Sequence, residues 1–254
     1  MVRLYAAFVT LLLILNLSGC AEEPLVPLAD GLATYYPLEL NRPAYYRVDS
    51  VVLVKEVAGV RYDSSTTEAR ETLVETFVGA DGATYYRGER WERKNAFAPY
   101  RFKQTFTVHR SGSSVIRSED NLTFTKLVTP IREGVRWDGN KAFEETRPIY
   151  VGGELLDVYK WWDYRYVNTD TSVALRTGLE LDSVVVLQQA AVFDNSVEYR
   201  RAFEWYAPGL GLVERFIDAR HSQCLNTQTN CDQLSWDEKA EKGYIIRQTL
   251  VSRD

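Results

Sequence analysis

The sequence has few of the residues on which most catalytic and metal sites depend. Its 254 residues include two histidines, three cysteines and one methionine. No His-Glu-x-x-His pattern, Gly-x-Ser-x-Gly elbow, phosphate-cradling glycine loop or calcium loop is present. His109 lies on the polar side of an alternating segment and His221 beside a polar loop. We therefore expect both histidines to be surface residues, and we predict no catalytic residue, no metal site and no cofactor.

An excess of positive charge is also absent. Lysine and arginine total 30 against 35 acidic residues, so the formal net charge is −5. Proteins that bind nucleic acid usually carry a basic surface that meets the phosphates. The sequence therefore predicts no nucleic-acid partner.

Long apolar runs are scarce, and the one that exists is short. It extends from Leu4 to Leu15, is interrupted by Thr10, and follows Arg3. A membrane-spanning helix needs about 20 apolar residues. A positive start, a short apolar stretch and small residues before a cleavage point are typical of a secretory signal. We assign residues 1–19 to a signal peptide.

The end of this signal carries a second feature. Leu17-Ser18-Gly19-Cys20 resembles the lipobox of bacterial lipoproteins. The resemblance implies cleavage before Cys20, diacylation of its thiol and often acylation of the new amino group. Two or more acyl chains hold a protein stably on a membrane. The alternative is an ordinary secretory signal that contains a cysteine.

The residues after Cys20 bear on the membrane in which the protein would be anchored. Ala21 replaces the aspartate that marks inner-membrane retention in Gram-negative bacteria, and Glu22 and Glu23 resemble the acidic export tag of Bacteroidota-type surface lipoproteins. The two glutamates could also simply begin a solvated tether. We expect attachment to the outer membrane through acyl chains on Cys20, with a preference for its outer face.

The other two cysteines, Cys224 and Cys231, stand close together in a polar segment. In an oxidising compartment such a pair is expected to form a disulfide. Closing this loop would contribute about 2.5 kcal/mol in the chain-entropy model. A metal site with His221 is the alternative, but it would lack an evident fourth ligand and zinc-finger spacing.

The remaining chain predicts one β-rich domain over residues 34–254, after a lipidated cysteine and tether over 20–33. In "YRFKQTFTVH", Tyr100, Phe102, Phe106 and Val108 share one face with Gln104, which indicates a half-buried strand.

Turn residues divide this domain into hairpins. Asp81-Gly82, Ser111-Gly112 and Asp194-Asn195 separate alternating segments, and Asp-Gly suits tight hairpin turns. Residues 235–243 predict one short helix, with a serine cap, early acids and a closing glycine. The expected fold is mainly β: an antiparallel meander of about ten strands, forming a curled sheet, an open barrel or a sandwich, with at most one or two short helices. Residues 46–54 resemble 179–187, so two related lobes are an alternative to chance similarity.

Several segments together resemble a group of uncharacterised lipoproteins of Bacteroidota-type bacteria. They are "YYPLELNRPAYYRVDSV", "NLTFTKLVTPIREGVRWDGN", "YAPGLGLVERF" and "GYIIRQTLV", and they extend over most of residues 35–251. The chain departs from the group at Asn41 and Tyr45, where glycine and tryptophan are usual. The resemblance implies an envelope location and a β fold, and it transfers no catalytic residue.

One aromatic stretch could form a binding surface. Tyr159, Trp161, Trp162, Tyr164 and Tyr166 could make a stacking platform, or the rings could fill the core and rim of the sheet. A strand would align Trp162, Tyr164 and Tyr166 on one side.

Three functions remain open at this level. The first is a non-enzymatic, lipid-anchored domain that binds or braces another envelope protein, and the second is a carrier of a lipid or other hydrophobic ligand inside a curled sheet. The third is a glycan-active enzyme with two carboxylates across a cleft, for which Asp157, Asp163, Glu198 and Glu204 are candidates. A hollow of several hundred Å³ would favour a ligand, whereas a filled core with an exposed aromatic patch would favour a partner.

Overall fold

The computed structural model describes residues 31–57, 59–193, 195–223 and 230–254. The predicted signal peptide, Cys20 and most of the tether therefore lie outside the described residues, as does Cys224. Within the described part of the chain, no helix is both long and apolar enough to cross a membrane. Gly31–Asp254 form one compact unit.

The described residues contain fourteen strands and two short α-helices. The strands are β1 (Ala44–Glu56), β2 (Gly59–Val78), β3 (Thr84–Arg93), β4 (Arg101–Ser111), β5 (Ser114–Glu119), β6 (Leu122–Val128), β7 (Arg136–Trp137), β8 (Ile149–Val151), β9 (Glu154–Leu156), β10 (Tyr164–Ala174), β11 (Glu180–Val192), β12 (Glu198–Ala207), β13 (Gly211–His221) and β14 (Lys242–Arg253). The helices are α1 (Gly31–Tyr35) and α2 (Trp236–Lys239), and a 3-10 turn spans Cys231–Gln233.

Twelve of these strands form one antiparallel sheet, which confirms the predicted fold class. Their order is β6-β5-β4-β3-β2-β1-β14-β13-β12-β11-β10-β7. The first six strands make one meander and the later ones a second. The two meanders join where β1 pairs with β14, with Val48 opposite Gln248. The separate pair of β8 and β9 forms a small hairpin.

The sheet curls until its two edges meet. On the edge strand β6, the Thr125 amide donates to the carbonyl of Gly139, just after β7. The Tyr166 hydroxyl of β10 donates to the Val128 carbonyl at 2.7 Å and accepts from the Val128 amide at 2.9 Å. The curled form is therefore the one adopted among the predicted alternatives.

The local signals were correct for two turns and for the start of the short helix, but this helix ends at Lys239, and Gly243, predicted to close it, lies in β14. Asp81-Gly82 lies between β2 and β3, where Gly82 has φ +78°, and Ser111-Gly112 connects β4 to β5. Helix α2 starts after Ser235, whose amide donates to the Glu238 carboxylate at 2.9 Å. Asp194 of the third predicted turn lies outside the described residues.

The predicted common face was wrong at Phe102 and at Tyr100, which packs against Arg70 and Arg93 on the outer face. Phe106 is 4% exposed whereas Phe102 is 52% exposed. Gln104 pairs with Arg90, but Phe102 pairs with Trp91, so Lys103 is an extra residue in the ladder. Such a bulge reverses the alternation and places Phe102 beside Trp91 on the outer face, with ring centroids 5.5 Å apart.

The main apolar core lies inside the curl. It includes Phe106, Val108, Leu127, Leu187 and Leu32 of α1. Residues 31–33 are therefore helical and packed on this core, which corrects the tether predicted over residues 20–33. A second apolar cluster forms where the end of the β10–β11 hairpin meets β1, β13 and β14.

Candidate functional site

Seven charged side chains lie within the curl at the level of this core. Their side chains are between 1% and 15% exposed. We call them the inner charge cluster: Glu71, Arg90, Arg117, Glu119, Lys126, Glu204 and Arg215. A charge removed from water requires a partner of opposite sign, so their pairing decides what they can do.

On the side of the first meander, Glu71 is held by two arginines. Its carboxylate lies 2.8 Å from Arg90 Nη1 and 3.0 Å from Arg117 Nη1. Arg117 also contacts Glu119 at 2.8 Å. Burial raises the pKa of Glu71, but the charges of Arg117 and Arg90 outweigh it and lower the pKa to about 2.

On the side of the second meander, Glu204 is the centre of the cluster. Its Oε1 lies 2.9 Å from Lys126 Nζ and 2.8 Å from Arg215 Nε, and the Tyr206 hydroxyl donates to Oε2 at 2.6 Å. Burial raises the pKa of Glu204, but Lys126 and Arg215 lower it to about 2. A carboxylate with such a low pKa stays ionised and is a poor general acid or base at neutral pH.

Sequence reasoning missed this cluster, although one signal for it was present. In β5, Val115, Arg117 and Glu119 occupy every second position, and Val115 is fully buried. The period of a strand places all three on one face. Charged residues in phase with a buried valine indicate an internal ion pair.

Above the cluster the curl opens into a cleft of about 540 Å³, which we call the inner cleft. One set of lining residues is apolar or aromatic: Val52, Phe124, Ile149, Val151, Tyr159, Ile217, Tyr244 and Ile246. The other set is charged: Arg90, Glu92, Lys103, Glu119, Asp120 and Arg215. A volume of this size is within the range of small-molecule sites.

The strand register arranges these residues in layers. Gln248 of β14 pairs with Arg215 of β13, and two residues further along Ile246 pairs with Ile217. Because alternate residues of a strand share a face, Ile246 and Gln248 both face the cleft. An apolar layer therefore lies next to a polar floor.

The floor contains an unsatisfied hydrogen-bond donor. Gln248 is 2% exposed, and its Oε1 accepts from Arg90 Nη1 at 2.7 Å. This contact fixes the orientation of the amide, and its Nε2 finds no hydrogen-bond acceptor among the described residues. Leaving such a buried donor unpaired costs about 1–3 kcal/mol.

The β8–β9 hairpin, residues 149–156, covers one side of the inner cleft, and we call it the cover hairpin. Gly152 has φ +60°, and a Cβ there would lie 2.6 Å from the Leu53 carbonyl oxygen of β1. Lys242 Nζ of β14 donates to the Leu155 carbonyl at 2.7 Å. Glycine thus permits the close approach that brings Ile149 and Val151 to the cleft.

The five aromatic residues proposed as a platform do not form one. Tyr164 and Tyr166 are fully buried, and Trp162 is 8% exposed in the same core. Trp161 has φ +62° and is 43% exposed, so it points away from the others. Only Tyr159 lines the inner cleft. Trp162, Tyr164 and Tyr166 thus share one side, as the strand alternation predicts, but that side is the core, and the turn at Trp161 separates that ring from them.

The four candidate carboxylates do not form one group, although Arg200 donates both to the Asp157 backbone carbonyl and to the Glu198 carboxylate. Asp163 is an exposed partner of Arg136, whereas Glu198 is buried and pairs with Arg200. Glu198 and Glu204 lie six residues apart on β12, about 20 Å in an extended strand. None of the four lines the inner cleft.

The histidines are separate from the cleft. His109 packs on Tyr85 with ring centroids 4.1 Å apart, and burial lowers its pKa. His221 Nε2 lies 3.9 Å from Glu198, and burial lowers its pKa more than this carboxylate raises it. Both are half-buried rather than fully exposed. Within the described ranges, no three His, Cys, Asp or Glu side chains are grouped as metal ligands. Because Cys224 lies outside those ranges, its disulfide with Cys231 stays a prediction.

Comparisons with known proteins give two structural neighbours. One is a candidate exported protein with a YmcC-like fold from Bacteroides fragilis, at 8% identity and a TM-score of 0.36, over 87% of this chain and 99% of the other. The second is a candidate lipoprotein from Parabacteroides distasonis, at 9% identity and a TM-score of 0.41, over the same shares of the two chains. The sequence matches no protein-family model and no curated protein.

Proposed function

We propose that this chain is a non-enzymatic envelope lipoprotein that binds a hydrophobic ligand in its inner cleft. Acyl chains on Cys20 would attach it to the outer membrane. The lipobox-like segment and the short apolar run before it support the anchor. The curled sheet and its hollow support the ligand.

The cleft is the observation that carries this function. A hollow of about 540 Å³ meets the criterion that separates a ligand carrier from a domain with a filled core. Val52, Ile217 and Ile246 give it an apolar wall. Two of the three acids that line it have cationic partners, since Glu119 contacts Arg117 and Glu92 contacts Arg90, and the third, Asp120, is exposed in the turn after β5. These contacts favour binding over acid–base chemistry.

Native mass spectrometry of the protein extracted gently from its own membranes tests the ligand. We expect an adduct of defined mass beyond the N-terminal acyl chains, and its loss in Ile246→Trp, which fills the cleft. Ile245→Trp is the matched control, because Ile245 is equally half-buried but lines a groove on the opposite face. Loss of the adduct in both variants or in neither would refute the cleft as its site. A stoichiometric companion protein in place of the adduct would favour the bracing function.

The anchor has a separate test. Cys20→Ser removes the only thiol that the lipobox offers for acylation. We expect the variant to leave the detergent-rich phase in a detergent partition assay, while the native chain stays in it. Retention of the variant in the detergent phase would refute the lipid anchor and leave the cleft proposal intact.

A further inference from the structure

The unpaired amide of Gln248 restricts the ligand's chemistry. The Nε2 group can only donate, and the Arg90 contact prevents it from exchanging places with Oε1. A ligand that satisfies it must present an acceptor oxygen at the floor of the inner cleft. A pure hydrocarbon would leave this donor buried and unpaired.

The charge around that amide favours an anionic acceptor. Arg90 contacts Gln248 directly, and Arg215 is its neighbour across the β13–β14 ladder. Within the inner charge cluster, four cationic side chains accompany three carboxylates. Glu92, which is 27% exposed, contacts Arg90 from the margin of the cleft. The buried cluster at the floor therefore carries one more cation than carboxylates, while Glu92 and the exposed Asp120 line the outer part of the cleft.

The apolar layer restricts the rest of the ligand. Ile246 and Ile217 lie side by side one layer from Gln248, and Val52 pairs with Tyr244 one layer beyond. Ile149 and Val151 of the cover hairpin face the same space. An unbranched hydrocarbon could follow this layer from the floor to the opening.

We propose that the inner cleft binds a long-chain carboxylate, with the carboxylate accepting from Gln248 Nε2 between Arg90 and Arg215 and the acyl chain along Ile217 and Ile246. This assignment rests on the ligand-binding function proposed above and adds the head group to it. In the complex, the ligand carboxylate would add a fourth negative charge to the four cations and three carboxylates of the inner charge cluster. It would also accept a hydrogen bond from the Gln248 amide.

The test uses the mature lipidated chain in lipid nanodiscs, titrated with hexadecanoate and with hexadecanol and followed by native mass spectrometry. We expect one hexadecanoate per chain and at least tenfold weaker binding of hexadecanol, about 1.4 kcal/mol. Gln248→Glu keeps the size of the side chain but replaces the donor with a second anion. It should weaken hexadecanoate about tenfold or more and leave hexadecanol within about twofold.

Gln188→Glu is the matched control. Gln188 is also a buried strand glutamine whose Oε1 accepts from an arginine, Arg165, at 3.2 Å, but it does not line the cleft. It should leave both affinities unchanged. Equal binding of acid and alcohol, or full hexadecanoate affinity in Gln248→Glu, would overturn the carboxylate assignment.

The two proposals fail in different ways. If the native adduct disappears in Ile246→Trp but hexadecanoate does not bind the native chain, the cleft binds a ligand of another class and the carboxylate assignment is wrong. If Ile246→Trp neither removes the native adduct nor weakens hexadecanoate, the cleft is not the binding site and both proposals fall.

Discussion

Lys126 on β6 and Glu204 on β12 form an ion pair inside the curl, with Nζ and Oε1 2.9 Å apart and side chains 4% and 1% exposed. The two strands belong to different meanders and are far apart in the order of the sheet. The pair therefore joins the first meander to the second inside the curl. Buried pairs of this kind contribute little net stability but are costly to break on one side.

The first prediction concerns this pair. Lys126→Met removes one of the two cations that contact Glu204 Oε1 and should lower the free energy of unfolding by about 3–5 kcal/mol, measured by urea denaturation. Arg136→Met is the control, since Arg136 and Asp163 form an ion pair with side chains 57% and 54% exposed. It should cost less than about 1 kcal/mol. Similar losses in the two variants would contradict a buried role for Lys126.

The second prediction is a loss of stability in acid. Glu71 and Glu204 have folded pKa values of about 2, against a usual value of 4.5. Between these two pH values the unfolded chain binds more protons than the folded one, so stability falls as pH decreases. Urea midpoints should be steady near neutral pH and decrease steadily from about pH 4.5 to 2. Glu204→Gln should flatten this slope, and an unchanged slope would show that Glu204 does not contribute to it.

The third prediction separates two neighbouring glycines of the cover hairpin. Gly152 and Gly153 both have positive φ, but only at Gly152 would a Cβ meet the Leu53 carbonyl oxygen. Each change to alanine carries a cost for the left-handed backbone of roughly 1–2 kcal/mol, and Gly152→Ala should add about 1–3 kcal/mol of overpacking. Chemical denaturation measures the difference. Equal costs would mean that the hairpin is not held against β1.

The fourth prediction concerns Cys224 and Cys231, of which only Cys231 lies within the described residues. Cys224→Ser should lower the melting temperature in oxidising buffer, because the cross-link would contribute about 2.5 kcal/mol. Under reducing conditions the native chain and the variant should melt together. An unchanged melting temperature in oxidising buffer would refute the disulfide.

The sequence was most informative where structure is local. The turn at Asp81-Gly82 and the cap at Ser235 follow from the conformations that single residues prefer. The sequence was uninformative where the conformation of a residue depends on a partner that is distant in the chain. Lys103 becomes a bulge only because of its register against β3, which no pattern within β4 contains.

The candidate site was harder to predict for the same reason. Its position among aromatic residues makes Glu204 a candidate catalytic acid, but its partner Lys126 is 78 positions away in the chain. No sequence pattern indicates Gln248, since a lone glutamine in a strand has no signature. Its importance depends on Arg90 occupying one end of the amide while the other end, at the floor of the cleft, has no partner among the described residues.

The Tyr166 hydroxyl also has a consequence for how this protein meets its neighbours. By donating to and accepting from the backbone of Val128, a phenol does for the edge strand what an adjacent strand would do. The Thr125 amide and carbonyl are similarly occupied, by Gly139 and the Trp137 ring. An edge whose backbone groups are already bonded offers no template on which a strand of another molecule can add. A strand of a second molecule therefore finds no free backbone groups at Thr125 and Val128 of β6.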